Sequence, residues 1–278
     1  MKPAAFDYLR ADSSEEAVSA LREHGPEARI LAGGQSLMAI LNMRLATPSL
    51  LIDISRCAPL DQVSAGAAGW EVGAAATQAR LEWHAGLAAQ QPLLAEALPH
   101  VSHFQIRNRG TVCGSIAHAD PSAELPLVLL ALGGDVRLRR AGGRRTVAAD
   151  AFFTGMLMTD RAADEFVESV RFPGRESGAG YAFEEFAVRH GDYAVCAVAV
   201  VARAGSTRIA VGGVADRPVA QELPADLDEA DLGDALNELA WSLDARDDPH
   251  ISARLRRHLV RRLGRRAIER ARAGRAAA

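Results

Sequence analysis

A pair of glycines between a buried run and a helical run is the feature that most restricts how this chain can fold. Residues 29–42 read RILAGGQSLMAILN, in which Ile30 to Ala32 predict a buried strand and the part after Gly34 carries apolar residues at helical spacing. A glycine has no Cβ, so it can adopt a positive φ and let a ligand lie against the main chain. Ser36 can cap the helix or bind a phosphate oxygen. The segment therefore predicts either an ordinary strand–turn–helix corner or an anion-binding loop.

A second loop of small and polar residues follows much later in the chain. Residues 105–126 read QIRNRGTVCGSIAHADPSAELP, which is too polar for a core and too long for a tight turn. Within it, residues 110–115 combine glycines with the hydroxyls of Thr111 and Ser115. One such loop can hold one phosphate, and two loops from different α/β units can hold a pyrophosphate between them. The two loops together predict a cleft for a dinucleotide that binds in a non-Rossmann manner.

Several familiar sites are excluded by what the sequence lacks. It has no Gly-x-Gly-x-x-Gly after a strand and no Walker loop, and Lys2 is its only lysine. His118 and Asp120 are a conceivable metal pair, but no third ligand lies at a useful spacing. The three cysteines are far apart and form no Cys-x-x-Cys, so neither a disulfide framework nor an iron–sulfur site is encoded. A redox role therefore requires an organic cofactor or a partner.

The composition is that of an ordinary soluble globular protein. Of 278 residues, 49% are hydrophobic and 24% are charged, and the net charge of −3 gives no general reason to expect nucleic-acid or membrane binding. Residues 254–275 contain ten arginines and residues 222–248 contain ten acidic residues, so we expect a salt-bridged surface rather than a nucleic-acid site. Without a signal core or an apolar run long enough to cross a bilayer, we expect a cytoplasmic protein with no transmembrane segment.

The order of the elements predicts an α+β fold. Residues 1–55 read as helix, strand, helix, strand, with Ser13 as the cap of the first helix. A second unit begins with a strand near Trp70, has a helix capped by Thr77, and ends before a Gly- and Ser-rich linker at 174–180. Three strands and two helices are expected beyond the linker, at 181–188, 193–203, 207–214, 227–242 and 251–273.

Four motifs, in this order along the chain, resemble one known family. They are residues 32–37 (AGGQSL), residues 107–126 with the runs RNRGTVCGS and HADPSAELP, residues 185–194 (EFAVRHGDYA) and residues 247–259. Together they resemble the flavin-binding medium subunit of molybdenum hydroxylases, the carbon monoxide dehydrogenase and xanthine dehydrogenase group. The resemblance covers essentially the whole chain.

The resemblance implies a two-domain fold with FAD in the first domain. Residues 1–175 would form an FAD-binding domain of the vanillyl-alcohol-oxidase (PCMH) type, with subdomains of about 1–55 and 56–175. Residues 176–278 would form a small C-terminal domain with a three-stranded antiparallel sheet and helices. The implied cofactor-binding residues are Ala32, Gly33, Gly34, Gln35, Ser36, Leu37, Thr111, Cys113, Gly114, Ser115, His118, Asp120, Glu124, Asp160, Arg161 and Tyr193.

These residues have different implied roles. The two glycine loops would hold the pyrophosphate, Asp120 and Glu124 would contact the ribityl or ribose portion, and Tyr193 would lie beside the isoalloxazine. Read alone, Asp120 before a proline can simply shape a turn, and a strand tyrosine is often core. The chain departs from the family where Cys113 replaces a usual glycine and Ser115 a frequent asparagine. It also departs at 159–161, a polar stretch where relatives often bring an apolar residue to the flavin.

The resemblance implies an electron-transfer subunit with no catalytic residue and no metal ligand of its own. Its FAD would receive electrons from [2Fe–2S] clusters on a small partner, which in turn receives them from a molybdenum–pterin centre on a large partner. The implied assembly is a dimer of heterotrimers. Two alternatives stay open: a self-contained flavin oxidase or dehydrogenase, and a flavin-free scaffold subunit. The substrate and the electron acceptor are not encoded in this chain.

Overall fold

The first unit is a small parallel sheet whose strands alternate with helices. In the computed structural model, which describes residues 1–276, its elements are β1 (Asp7–Arg10), α1 (Ser14–His24), β2 (Ala28–Leu31), α2 (Leu37–Asn42) and β3 (Leu50–Asp53). The strand order is β1-β3-β2, and both pairings are parallel. The first glycine loop therefore lies between the end of β2 and the start of α2.

Strand β1 was not predicted from the sequence, whereas the cap of α1 was predicted correctly. In β1 only Leu9 is partly buried, so the strand shows neither an apolar run nor an alternating pattern. The Ser13 hydroxyl accepts a hydrogen bond from the main-chain N–H of Glu16 at 3.1 Å. This bond satisfies one of the free donors at the helix start.

The second unit has an antiparallel sheet covered by short helices. Its elements are β4 (Val63–Gly66), β5 (Gly69–Gly73), α3 (Gln78–Glu82), α4 (Leu87–Gln90), α5 (Pro92–Ala97), α6 (Phe104–Arg107), α7 (Val112–His118), α8 (Glu124–Leu132), β6 (Asp135–Arg140), β7 (Gly143–Ala148), α9 (Ala149–Phe152), β8 (Phe153–Gly155), β9 (Met158–Thr159) and β10 (Phe166–Phe172). Five of its strands form one sheet in the order β4-β5-β10-β6-β7, and β8 pairs with β9 as a separate hairpin.

The third unit has a four-stranded antiparallel sheet, so the expectation of three strands is wrong. Within the described residues its elements are β11 (Gly180–Phe186), β12 (Cys196–Ala202), β13 (Ser206–Gly212), β14 (Val219–Pro224), α10 (Glu229–Ser242) and α11 (Ala253–Ala276), with the sheet order β11-β12-β13-β14. The extra strand β14 lies at the sheet edge, is largely half-exposed and ends in a proline. It therefore lacks the apolar pattern from which strands are predicted.

Two hydrophobic cores meet at strand β12. Every residue of β12 is buried. Its side chains alternate between the cores: Ala197, Ala199 and Val201 belong to the core shared with the second unit, and Val198 and Val200 to the core beneath α10 and α11. On the first side the strand packs against α8, a helix in which every residue is buried. The third unit is thereby packed directly against the unit that carries the second glycine loop.

The arginine-rich helix α11 is paired with acidic residues of its own unit. Arg265 contacts Glu229 at 3.2 Å, Arg270 contacts Glu184 at 2.7 Å, and Arg256 pairs with Asp248. The contacts with Glu229 and Asp248 agree with the expected pairing of these arginines with the acidic segment 222–248, whereas Glu184 lies outside that segment. Across residues 1–276, no helix is both long enough and apolar enough to cross a bilayer.

Candidate functional site

The first glycine loop leaves polar groups free for a ligand. Gly34 has a φ of +73°, a conformation that favours glycine. The side-chain amide of Gln35 donates a hydrogen bond back to the carbonyl oxygen of Gly33 at 3.0 Å, which fixes the loop. Ser36 precedes α2 but makes no capping hydrogen bond. Of the two roles open to its hydroxyl, ligand contact is therefore the one that the fold leaves available.

The two glycine loops touch each other through their main chains. A Cβ placed on Gly33 would lie 2.2 Å from the carbonyl oxygen of Arg109 and 2.7 Å from the Cα of Gly110. A side chain at position 33 would therefore force the two loops apart. The absence of a Cβ lets two peptide segments from different α/β units approach to form one surface.

The second loop is held in place by the fold and opens helix α7. The N–H of Gln78 donates to the carbonyl oxygen of Gly110 at 2.8 Å, and the N–H of Val112 donates to the carbonyl oxygen of Ala76 at 3.2 Å. The Thr111 hydroxyl caps α7 by accepting from the N–H of Gly114 at 3.0 Å. These hydrogen bonds fix the conformation of the loop, which continues directly into the first turn of α7.

Cys113, at the position where the family resemblance implies a glycine, fits because it is helical. It lies in α7 and is not among the described residues with a positive φ, so its side chain causes no strain. The thiol donates a hydrogen bond to the carbonyl oxygen of Val72 in β5 at 3.3 Å and is buried. Burial raises the pKa of this thiol well above its ordinary value, so it remains protonated.

Both loops open into one cleft with a volume of about 550 Å³. The expected site residues that line this cleft come from all three units. They are Ala32, Gly33, Gly34, Gln35, Ser36, Leu37, Thr111, Cys113, Gly114, Ser115, His118, Asp120, Glu124, Arg161 and Tyr193. The fold therefore brings together residues that are far apart in the sequence.

Asp160 does not line the cleft. Its carboxylate accepts a hydrogen bond from Arg145 at 2.5 Å, and Arg145 also binds Glu165 at 2.7 Å. This arrangement orders the chain after β9 and leaves Asp160 away from the ligand space. The expectation that Asp160 contacts a cofactor therefore has no support in the geometry.

An apolar side chain reaches the cleft from a residue that the sequence analysis did not identify. Leu157, at the tip of the β8–β9 hairpin, lines the cleft and has a φ of +56°, which is uncommon outside glycine. Its N–H donates to the carbonyl oxygen of Ala119 at 3.2 Å. In the sequence this residue belongs to the apolar run Met156-Leu157-Met158, and the structure shows that the run is largely exposed.

Two arginines give part of the cleft a positive charge. Arg161 donates from Nη1 to the carbonyl oxygens of Ala162 (2.9 Å) and Glu165 (2.7 Å), so its charge is held by main-chain acceptors rather than by a carboxylate. Burial lowers the pKa of Arg161, and the charge of Arg29 acts in the same direction. Arg29, which also lines the cleft, was not identified from the sequence. Together they favour an anionic portion of the ligand nearby.

A second group of cleft residues is acidic or aromatic. Asp120 shapes a turn, because its Oδ1 accepts from the N–H of Ser122 at 2.8 Å. Glu124 is buried at the start of α8, and burial raises the pKa of its carboxyl to about 8, with the charges of Glu185 and Asp120 acting in the same direction. Tyr193 is 69% exposed at the cleft, so it is not part of the core.

The residues present fit an FAD molecule. The cleft volume is in the range of cofactor sites, which are concave, mostly apolar and supplied with a few polar groups. Gly33 and Gly34 leave main chain uncovered, and Ser36 offers a hydroxyl that is not used in capping. Arginines and exposed aromatic and apolar side chains are available for the other portions of a dinucleotide. No group of three or more His, Cys, Asp or Glu residues suited to a metal occurs in the described part of the chain.

Comparison with known proteins agrees with this geometry. Residues 4–175 match the family described as the FAD binding domain in molybdopterin dehydrogenase, and residues 181–271 match the CO dehydrogenase flavoprotein C-terminal domain. The nicotine 6-hydroxylase medium subunit of Paenarthrobacter nicotinovorans is 40% identical over 96% of this chain and 98% of its own length. The carbon monoxide dehydrogenase medium chain of Hydrogenophaga pseudoflava is 37% identical over 80% of this chain and 79% of its own.

Solved structures show the same fold over nearly the full length. A chain of carbon monoxide dehydrogenase from Hydrogenophaga pseudoflava superposes with a TM-score of 0.94 at 32% identity, covering 98% of this chain and 99% of that one. A chain of quinoline 2-oxidoreductase from Pseudomonas putida 86 gives a TM-score of 0.91 at 35% identity, covering 99% of each.

Proposed function

The chain belongs to the family of FAD-binding medium subunits of molybdenum hydroxylases, and from that premise we propose that it is the electron-transfer subunit of such an assembly. Its FAD receives electrons from [2Fe–2S] clusters on a small subunit and passes them to an external acceptor. A large subunit carries the molybdenum–pterin centre at which substrate is oxidised. The proposed assembly is a dimer of heterotrimers.

The observation that carries this proposal is the contact between the two glycine loops. Their main chains meet where a Cβ on Gly33 would lie 2.2 Å from the carbonyl oxygen of Arg109, at the wall of a cleft of about 550 Å³. Main-chain N–H groups at such a junction suit a pyrophosphate where they are not already bonded within the fold, as those of Val112 and Gly114 are. We assign this role to residues 32–36 and 111–115.

Other cleft residues would hold the remaining portions of the cofactor. Asp120 and Glu124 are assigned to the ribityl or ribose hydroxyls, Tyr193 to one side of the isoalloxazine, and Leu157 to an apolar contact. A flavin can accept electrons singly and deliver them singly or in pairs, and the protein contributes its position and electrostatic environment. Within this cleft the chain's own residues therefore bind, orient and partly shield the cofactor from water.

The cysteines support placing iron–sulfur clusters on a partner. An iron–sulfur cluster usually needs four cysteine ligands. The three cysteines, Cys57, Cys113 and Cys196, lie in separate parts of the fold and are all buried. Burial raises the pKa of the Cys196 thiol to about 12, so it is held as a thiol rather than as a metal-binding thiolate.

Purification of the tagged chain from its native host tests the proposal. We expect two further polypeptides in the complex, together with FAD, molybdenum and iron. Addition of a substrate of the complex should bleach the flavin absorbance, and an external acceptor should restore it. A chain that purifies alone and oxidises a small organic substrate would favour the self-contained oxidase. A complete assembly without flavin would favour the scaffold.

A further inference from the structure

Gln78 places a polar side chain in the wall of the cleft with one atom that the fold leaves unsatisfied. The residue lines the cleft and is 5% exposed. Its carboxamide oxygen, Oε1, is buried and accepts no hydrogen bond within residues 1–276. A buried acceptor without a donor costs free energy, whereas an apolar side chain of the same size would occupy the position without that cost. Packing alone therefore does not account for a carboxamide at this position.

The main chain holds Gln78 against the second glycine loop. Gln78 is the first residue of α3, and its N–H donates to the carbonyl oxygen of Gly110 at 2.8 Å. The Thr77 hydroxyl caps this helix by accepting from the N–H of Arg80 at 3.2 Å. Thr77 also pairs with Thr111 in an isolated antiparallel bridge. The start of α3 and the second loop are therefore joined by their main chains, which fixes where the Gln78 side chain begins.

The carboxamide of Gln78 lies beside the junction of the two glycine loops. A Cβ placed on Gly110 would lie 3.1 Å from Oε1 and 3.3 Å from Cδ of Gln78, so the carboxamide rests close to this glycine. On the other side, a Cβ placed on Gly33 would lie 2.7 Å from the Cα of Gly110. Gln78, Gly110 and Gly33 are thus neighbours in series across the junction to which we assign the pyrophosphate.

The nitrogen of the same carboxamide is a free donor. Nε2 makes no hydrogen bond within residues 1–276 and, unlike Oε1, is not fully buried. Because the residue is otherwise buried and lines the cleft, Nε2 is open to the ligand space. The amide nitrogen of a glutamine carries two N–H groups, so it can donate to an anion without bringing a charge into the cleft.

The second loop has few main-chain donors left for such an anion. The N–H groups of Val112 and Gly114 are bonded within the fold, and Ser115 donates its N–H to the carbonyl oxygen of Thr111 at 3.2 Å. Side chains must therefore supply part of the hydrogen bonding on this side of the cleft. The Nε2 of Gln78 adjoins the loop at the junction itself.

We propose that Gln78 is a further cofactor-binding residue, whose Nε2 donates a hydrogen bond to the pyrophosphate of FAD. This inference rests on the proposed function, because it requires that the cleft holds FAD. The burial of Oε1 destabilises the apoprotein, and the hydrogen bond from Nε2 offsets this effect when the cofactor is bound. Removal of the carboxamide should therefore weaken FAD binding without weakening the fold.

The variant Gln78→Met tests this directly, because methionine is similar in length and has no N–H donor. Isothermal titration of the folded apoprotein should show a Kd for FAD that is about 10- to 100-fold higher, the effect of one lost hydrogen bond to a charged group. Denaturant titration of the apoprotein should show a free energy of unfolding equal to or above that of the unmodified protein, because no acceptor is then buried without a donor. Gln105→Met, at an exposed glutamine of α6 outside the cleft, is the matched control and should change neither quantity.

Phosphorus NMR of the bound FAD separates a phosphate contact from a structural effect. At saturating FAD, Gln78→Met should shift the phosphorus resonances of the pyrophosphate, whereas Gln105→Met should leave them in place. A change in packing that does not reach the pyrophosphate would not move these resonances. Unchanged resonances in Gln78→Met would overturn the proposal, whatever the change in affinity.

The possible outcomes also distinguish this inference from the assignment of the cofactor. Failure of the unmodified chain to bind FAD would contradict both. Normal FAD binding by the unmodified chain, with a Kd for Gln78→Met within about threefold of it, would overturn the role of Gln78 alone.

If the variant does not fold, nitrogen NMR of the unmodified protein, labelled on its glutamine side chains, still decides. The Nε2 signal of Gln78, assigned through its contact with Gly110, should shift and its protons should exchange more slowly with solvent when FAD binds. A signal that FAD leaves unchanged would overturn the proposal.

Discussion

Gly33→Ala tests the contact between the two glycine loops with the smallest available change. The added methyl would begin 2.2 Å from the carbonyl oxygen of Arg109, whereas ordinary contact starts at 3.4 Å. The neighbouring atoms are main chain and cannot rotate away. The loops must therefore separate by about 1 Å, since dispersion contacts are optimal only at about 3.5–4.0 Å.

The expected loss of FAD affinity follows from this displacement. A shift of about 1 Å lengthens a 2.9 Å hydrogen bond beyond the useful range. Hydrogen bonds to a charged group contribute about 1.5–3 kcal/mol each, so the loss of two removes about 3–6 kcal/mol. This corresponds to a roughly 10²- to 10⁴-fold increase in the Kd for FAD. Overpacking should also lower the free energy of unfolding of the apoprotein by about 1–3 kcal/mol.

Isothermal titration of the apoprotein with FAD measures the change in affinity. Gly205→Ala is the matched control, because a Cβ there meets nothing within 4 Å and the residue has no positive φ. Chemical denaturation of both variants separates a loss of affinity from a loss of folding. If Gly33→Ala folds and binds FAD within threefold of the unmodified protein, the loops do not form the pyrophosphate site and the reasoning is refuted.

Three further perturbations have defined expected outcomes. Thr111→Val removes the cap of α7 and should lower the free energy of unfolding by about 1 kcal/mol, measured by denaturant titration; an unchanged midpoint would show that the cap is not needed. Tyr193→Ala should change the visible spectrum or reduction potential of the bound flavin more than the Kd for FAD, and an unchanged spectrum and potential would place that ring elsewhere. In the folded apoprotein the pKa of Glu124 is about 8, against about 4.3 when exposed, so folding binds a proton between these pH values and the stabilisation is lost as the pH rises through 8. Between these two pH values the free energy of unfolding should therefore fall with rising pH in the unmodified protein, by up to about 1.4 kcal/mol per pH unit more than in Glu124→Gln. Parallel curves for the two proteins would contradict the raised pKa of Glu124.

The sequence predicted those elements that are buried or capped in an ordinary way. Strands β2 and β3 have apolar runs, β5 buries Trp70 and Val72 at alternate positions, and Ser13 and Thr77 form the expected caps. The missed strands β1 and β14 lie at sheet edges and have mostly exposed or half-exposed side chains. Their positions depend on hydrogen bonds to neighbouring strands, which a local pattern does not encode.

The candidate site was predictable where function depends on local backbone chemistry. The glycine loops, Thr111 and Ser36 stand out because glycines and hydroxyls before a helix mark sharp turns and caps, which also leave main chain and hydroxyls accessible to a ligand. Leu157 and Arg29 were missed because an exposed leucine and a strand arginine are ordinary features until the fold places them against a cleft. Asp160, which was also expected at the site, forms an ion pair with Arg145 and does not line the cleft, and its sequence proximity to Arg161 does not reveal this.

The same limit applies to the residues behind the cleft. Glu184 and Glu185 are identical in type and adjacent in sequence, yet one binds two arginines and the other faces a single histidine. Strand alternation sends them to opposite faces, but only the packing of α11 on one side and His100 on the other decides their partners. The different partners of these two neighbouring glutamates were therefore not accessible from the sequence.

Native mass spectrometry of the purified chain is the most direct test of the claim that its two glycine loops hold FAD. We expect a mass greater than that of the polypeptide by one FAD per chain, a yellow protein, and release of FAD rather than FMN on heating. The added mass should be absent from a folded Gly33→Val variant. A colourless chain with the mass of the polypeptide alone, unchanged and not stabilised when FAD is supplied, would contradict the account.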